Sequence, residues 1–307
     1  MRNDVLSPEA ARLEQLKAIV LDTVTSFETK RAYRRSLDDF LGWCFATERR
    51  QGFTKAAVNA YRTHLEGRGL SSATINVRLA AIRKLATEAA DNQLMRPELA
   101  AGIARVKGAK RLGVRSGNWL TLRQAEALIT SPPQSTLKGK RDRALLGVLI
   151  GCGLRRKEVA ALECERIQLR DNRWVIVDLA GKGGRIRTVP MQGWTKTLID
   201  RWTTAAGISS GRVFRPVNKG DRITGTSMTP QSVFEAVKGY ADQVGVNIAP
   251  HDLRRTFAKL AHKGRAALEQ IQLSLGHASI QTTERYLGVS QNLEDAPCDH
   301  LGIRIED

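Results

Sequence analysis

Between Leu99 and Ala125 the chain carries no acidic residue, while Arg105, Lys107, Lys110, Arg111, Arg115 and Arg123 all fall inside that window. Its centre, Lys107-Gly-Ala-Lys-Arg-Leu-Gly-Val-Arg-Ser-Gly117, is rich in glycine and cations and reads as a linker over residues 104–117. A linker this basic can lie along phosphates. A solvated connector would have the same composition. Either way the chain is cut in two, and its 307 residues suit two domains of ~100–200 residues each.

Before the linker the pattern is helical. Thr25 or Ser26 can cap a helix in which Tyr33, Leu37, Phe40 and Leu41 recur at spacings of 3 and 4, and Trp43 and Cys44 extend the stripe. Ala56–Leu65 is a second amphipathic stretch. Ser71 and Ser72 open a third, with Ile75, Leu79, Ile82 and Leu85 on one face and Arg78, Arg83 and Lys84 on the other. No strand pattern occurs before residue 117, so residues 1–103 are expected to form an all-helical domain. After the linker, Thr121–Glu126 opens a helix and Arg141–Gly151 continues as a long apolar one. Arg173–Asp178 and Arg185–Pro190 have strand character, with Gly181-Lys182-Gly183-Gly184 between them, which predicts a β-hairpin whose turn projects a lysine. Helical patterning returns from Pro230 to about Tyr286. The expected fold class is therefore mainly α with a small β-sheet, the second domain being α+β over residues 118–290.

Charge narrows the partner. Residues 1–117 and 118–307 each carry a net +9, giving a formal +18 and a pI of about 10.3. Such a surface seeks a polyanion, most often nucleic acid and less often an anionic membrane. The longest uncharged apolar run, Ala144–Leu154, has 11 residues, too few to cross a bilayer. Met1-Arg2-Asn3-Asp4 and the alternating charge after it do not resemble a signal peptide. Four cysteines (44, 152, 164 and 298) lie far apart without a CxxC pair, which argues against a zinc ribbon or a disulfide framework. A reducing cytoplasm is the expected compartment, with Cys44 and Cys152 as buried packing residues.

Several chemistries fail on spacing. Gly181–Gly184 is no phosphate-binding P-loop, because G-x-x-x-x-G-K-[ST] is absent and a strand follows. The five histidines (64, 251, 262, 277 and 300) show no metal-ligand spacing. Asp171, Asp178 and Asp252 lie in unrelated contexts, so no two-metal nuclease pair is offered. Neither a metal nor a cofactor is expected. Four other features stand out: Gly153-Leu154-Arg155-Arg156-Lys157-Glu158, Lys182 on the hairpin, His251-Asp252-Leu253-Arg254-Arg255 after Pro250, and Leu275-Gly276-His277 followed nine residues later by Tyr286. Each alone has an ordinary structural reading, from a solvated helix-end arginine to a helix stop at Gly276. Their order and spacing together carry the signal.

That order resembles the tyrosine recombinase, or phage integrase, family, including the Xer-type recombinases. The family pattern of Arg, Lys, His-x-x-Arg, His or Trp, and Tyr falls on Arg155, Lys182, His251 and Arg254, His277, and Tyr286. The strings GLRRKEV, GKGGRIRTVPM, PHDLRRTFA and LGHASIQTTERY carry the likeness over residues 118–290, and residues 1–103 look like the family's SAM-like core-binding domain. Arg255 stands where many members have His.

The resemblance implies a site-specific recombinase or integrase that closes on double-stranded DNA as a C-shaped, two-domain clamp and assembles as a homo-tetramer at synapsis. It implies a 3′-phosphotyrosyl intermediate and no requirement for ATP or metal. Arg155 and Arg254 would stabilise charge on the phosphate. Tyr286 would be the nucleophile, His251 the general base, Lys182 the general acid and His277 a hydrogen-bond donor, with Glu158 orienting the site. Arg78, Arg83, Lys84, Lys107, Lys110 and Arg111 are the candidate DNA contacts. The tail, residues 291–307, carries Leu293, Leu301, Ile303 and Ile305, which could pack on a neighbouring protomer or on its own domain. A type IB topoisomerase, a hairpin-telomere resolvase and a catalytically silent DNA-binding regulator remain as alternatives.

Overall fold

The apolar stripes of the first hundred residues build a five-helix unit. The structure, a computed structural model, describes residues 8–45, 52–110, 118–181 and 184–287, and for 8–13, 285 and 286 only the backbone. Lys182, Arg111 and the tail 291–307 lie outside the described residues. The chain divides into two units, Met1–Val114 and Arg115–Asp307.

In the first unit the helices are α1 (Pro8–Asp22), α2 (Phe27–Phe45), α3 (Lys55–Gly67), α4 (Ser72–Asp91) and α5 (Pro97–Ala104). Ser71 caps α4 by accepting the Thr74 N–H at 3.2 Å, as its place before the stripe predicts. Leu37, Phe40, Tyr61, Leu65, Ile75, Leu79, Ile82 and Leu85 are all buried in one core. Phe40 meets Phe53 and Tyr61 edge-on at centroid distances of 5.4 and 5.1 Å. The start of the basic linker is strapped to α4. Asn76 donates from Nδ2 to the Ala109 carbonyl (3.0 Å) and accepts the Ala109 N–H (2.9 Å). Arg62 donates to the Lys107 carbonyl at 3.1 Å, and Arg83 to that of Val106. Gly108 permits this approach, since a Cβ there would sit 2.4 Å from Asn76 Oδ1. Up to Ala109 the segment is therefore held by the first unit and is not a solvated connector.

The second unit contains α6 (Leu122–Thr130), α7 (Leu137–Gly151), α8 (Arg156–Ala160), β1 (Ile167–Arg170), β2 (Arg173–Ala180), β3 (Ile186–Pro190), α9 (Gly193–Ala206), α10 (Pro230–Gln243), α11 (Pro250–Lys263), α12 (Leu268–Leu275) and α13 (Ile280–Leu287). The strands form an antiparallel sheet in the order β1-β2-β3, with a register shift between Ile176 and Leu179. β2 and β3 are the predicted hairpin; β1 adds an edge that the sequence pattern did not show. Helix α7 is buried nearly all round, with Ala144–Ile150 in the core. It starts at Leu137, four residues before the expected Arg141, and is capped by Thr136, whose hydroxyl accepts the Gly139 N–H at 3.0 Å. The buried Asp142 survives inside because Arg141 (2.7 and 2.8 Å), Lys138 (2.7 Å) and the Tyr240 hydroxyl (3.0 Å) all donate to it. Helices α11, α12 and α13 share a smaller core of Ala258, Ile271, Leu275 and Leu287. No helix among the described residues is long and apolar enough to cross a membrane.

Candidate active site

The buried helix α7 ends in a turn that delivers Arg155. Cys152 closes the helix, and Gly153 then adopts φ +61°, a left-handed conformation natural to glycine. Space alone would also demand glycine here, because a Cβ would lie 2.6 Å from the Phe257 ring. Arg155 follows as the N-cap of α8. Glu158 Oε2 accepts the Arg155 backbone N–H and Oε1 accepts from Arg155 Nη1, both at 2.8 Å. The Arg155 side chain remains 32% exposed, so its outer edge faces solvent.

Helix α11 supplies His251 and Arg254. Pro250 occupies its first turn, and Asp252 accepts the Ala249 N–H at 3.0 Å to fix the start. Arg254 is almost fully buried, at 1% exposure. Its Nη1 donates to the Gly153 carbonyl at 2.7 Å, and its Nη2 donates to the Leu275 carbonyl. One guanidinium thus joins the turn before Arg155 to the turn before His277. The two arginines, alike in sequence, become unlike in the fold: Arg155 stays partly exposed, and Arg254 is buried.

Gly276 ends α12 at φ +61°, and His277 follows. The His277 Nδ1 lies 2.9 Å from the hydroxyl of Thr283, a buried residue of α13. Burial first, and then the charges of Arg254, Arg155, His251 and Arg187, push the His277 pKa down to about 4. His251 is also shifted down, by partial desolvation and then by Arg255, Arg254 and Arg155, against the opposing pull of Asp252. Both imidazoles are therefore neutral near pH 7, each beside the Arg254 and Arg155 guanidiniums.

This field has a measurable consequence. With the folded pKa near 4 and the ordinary value at 6.5, the unfolded chain binds more protons in that window, so stability falls as pH falls through it. His277→Gln removes this penalty. Melting curves from pH 7 to pH 4 should show the wild type losing stability faster than the variant, whereas parallel curves would remove His277 from the cationic field.

Arg187, which the sequence pattern did not single out, completes the cluster from β3. It donates from Nη1 and Nη2 to the two oxygens of Glu158 at 2.9 and 2.8 Å, and from Nε to the Ser274 carbonyl at 2.9 Å. Burial alone would raise the Glu158 pKa, but the hydrogen bonds from Arg187 and Arg155 hold it below the usual carboxylate range. At the hairpin, the Gly181 N–H donates to the Arg185 carbonyl at 2.7 Å, and a Cβ on Gly181 would lie 3.7 Å from Arg155 Nη1. The base of the hairpin therefore borders the arginine. Lys182 lies outside the described residues. Tyr286 lies in α13, which packs on α11 and α12, and its side chain is not among those described.

In the first unit the candidate DNA contacts fare unequally. Arg78 pairs with Asp39 and donates to the Tyr61 hydroxyl at 3.1 Å. Arg83 is tied to Val106, and Lys84 pairs with Glu88 at 2.6 Å. Lys107 and Lys110 are exposed, and Arg111 lies outside the described residues. Arg31, Arg34 and Arg35 of α2 are exposed as well, and Arg35 lines a groove against α4 with Thr74, Val77 and Arg78. The run Lys30-Arg31…Arg34-Arg35, at helical spacing, was the signal for them.

An arginine edge, a buried guanidinium, two neutral imidazoles and an adjacent tyrosine-bearing helix, in a chain that also holds a helical unit, fit the tyrosine recombinase class. Residues 118–292 match the Phage integrase family and residues 14–93 match its N-terminal SAM-like domain, and the chain belongs to the phage integrase family. It is similar to the tyrosine recombinase XerD of Vibrio cholerae serotype O1, 29% identical over 299 residues, with 94% of this chain and 95% of the relative covered. The tyrosine recombinase XerC of Pseudomonas fluorescens is 29% identical over 265 residues, 84% of each chain. The fold is similar to that of the XerH recombinase solved with its difH substrate before cleavage: TM-score 0.66, 20% identity, 93% of this chain and 83% of that one. It is also similar to a lambda integrase dimer on a COC′ core site: TM-score 0.70, 14% identity, 90% and 94% covered.

Proposed function

We propose that this chain is a site-specific DNA recombinase that breaks and rejoins strands through a 3′-phosphotyrosyl intermediate. The observation that carries the reading is the Arg254 bridge between the Gly153 and Leu275 carbonyls, which ties the turn before Arg155 and the turn before His277 to the helix that carries His251. The Tyr286 oxygen attacks the scissile phosphorus, forming a P–O bond as the bond to the 5′ oxygen breaks. His251, neutral near pH 7, takes the phenol proton. Lys182 gives a proton to the departing 5′ oxygen. Negative charge gathering on the non-bridging oxygens meets the Arg155 edge and the Arg254 charge below it. If the Thr283 hydroxyl donates to His277 Nδ1, the ring proton sits on Nε2 and serves as a further donor. The phosphotyrosyl ester retains the energy of the bond it replaced, so a 5′ hydroxyl can reverse the step without ATP.

The duplex is taken as partner on the strength of the +18 charge and the family. Exposed Arg31, Arg34, Arg35, Lys107 and Lys110 would carry phosphate contacts from the first unit. The division at Val114 and Arg115 supports a DNA-binding domain over 1–103, a linker over 104–117 and a catalytic domain over 118–290, with 291–307 as a tail. A homo-tetramer at synapsis and a cytoplasmic, nucleoid-associated location belong to the same reading. The topoisomerase and silent-regulator alternatives are not favoured, since the curated relatives are recombinases.

The test uses duplexes selected by binding from random sequence, nicked near the cut so that the 5′ hydroxyl fragment is lost. Wild-type protein in chelator without ATP should accumulate a protein–DNA adduct that survives denaturation. Binding to such sites with no adduct would return the chain to a silent regulator.

A further inference from the structure

We propose that Arg187 is a positioning residue whose charge keeps Arg155 available to the phosphate; this rests on the reading of Arg155 as a phosphate-stabilising group. Glu158 is the point of the argument. Its carboxylate is nearly buried, and both oxygens are used twice: Oε1 by Arg155 Nη1 and Arg187 Nη1, Oε2 by the Arg155 N–H and Arg187 Nη2. With Arg187 present, the trio of Arg155, Glu158 and Arg187 carries a net positive charge. Without it, the buried carboxylate has Arg155 as its main counter-charge, and that pair is neutral. A buried carboxylate draws its counter-ion strongly. The cation meant for the transition state would then be spent on its own neighbour.

The fold is built to bring Arg187 there. Its side chain is 8% exposed and forms a two-pronged pair with Glu158, the strong geometry for a guanidinium and a carboxylate. On the way it passes under the turn that precedes His277, donating to the Ser274 carbonyl. Gly276 clears the path, because a Cβ there would lie 2.9 Å from Arg187 Cδ. Gly181 borders it on the hairpin side, its Cβ position lying at an ordinary contact distance of 3.5 Å from Arg187 Nη1. Three of the chain's site motifs thus close on one side chain that does not itself face the reacting atoms.

The test compares single-turnover cleavage of a scissile phosphodiester with cleavage of a methylphosphonate, which lacks one negative charge and so depends less on a cation. Arg187→Met should slow phosphodiester cleavage by about 10²-fold, and the deficit should shrink at least about tenfold on the methylphosphonate. Arg187→Lys, which keeps the charge, should lie between wild type and Arg187→Met, and it carries the comparison if the Met variant does not fold. Arg155→Ala is the control and should show the same substrate dependence. If its deficit shrinks on methylphosphonate while that of the Arg187 variants stays equal on both substrates, Arg187 does not act through Arg155. If neither deficit shrinks, Arg155 is not the phosphate-stabilising group, and the inference falls with it.

Discussion

Tyr286→Phe should bind duplex DNA as the wild type does and form no covalent adduct, a loss of about 10⁴–10⁶-fold, the scale seen when a covalent nucleophile is deleted. The exchange removes one oxygen and leaves the ring, so α13 should keep its place through buried Thr283 and Leu287. The chain has four tyrosines, and the fold sets two of them against this role. Tyr61 and Tyr240 donate to Asp39 and Asp142, and burial followed by those carboxylates raises both pKa values, the wrong direction for a nucleophile. Tyr33 packs against the core of the first unit. A phenol with an ordinary pKa near 10 needs cations and a base beside it to ionise, and α13, which carries Tyr286, packs on α11, where Arg254 and His251 lie. Native gel shifts together with denaturing gels on the nicked substrate measure both quantities. A persistent adduct in the variant would move the nucleophile elsewhere.

What could be read from the sequence divides along a physical line. Groups that do chemistry must be particular residue types at particular spacings, so Arg155, His251, Arg254 and His277 stood out before any fold was known. The fold brings those four near one another: Arg254, on the helix that carries His251, bridges the turn before Arg155 and the turn before His277. Partner choice was not readable. Arg78 and Arg83 looked like free cations on the polar face of α4. Whether such a cation meets a phosphate or a carboxylate depends on Asp39, 39 positions away from Arg78 in the chain. Arg187 was hidden for the same reason, since a basic residue on an alternating strand ordinarily faces water, and nothing local announces a buried Glu158 opposite. The short β1 and the eight-residue α5 escaped because four to eight residues hold too little periodicity to separate from a loop.

Arg254→Ala should be the most damaging single truncation in the second unit, because the side chain is structural and chemical at once. At 1% exposure it fills space and satisfies the Gly153 and Leu275 carbonyls. Removing it strands two buried acceptors, at about 1–3 kcal/mol each, and leaves a void. A total loss of roughly 3–5 kcal/mol is expected once partial collapse of the void is allowed for. Denaturant unfolding should show the midpoint falling, and an unchanged midpoint would mean that the bridge does not hold the turns together. Arg254→Lys separates the two roles. An ammonium keeps the positive charge, but as a single point it cannot reproduce the planar fork that spans two carbonyls from different turns. Measured on the folded fraction, cleavage by the Lys variant should still be down by about 10²–10³-fold, since the turns carrying Arg155 and His277 would no longer be held in register. Near-wild-type cleavage by Arg254→Lys would mean that charge alone suffices and that the carbonyl bridge serves stability without serving the reaction.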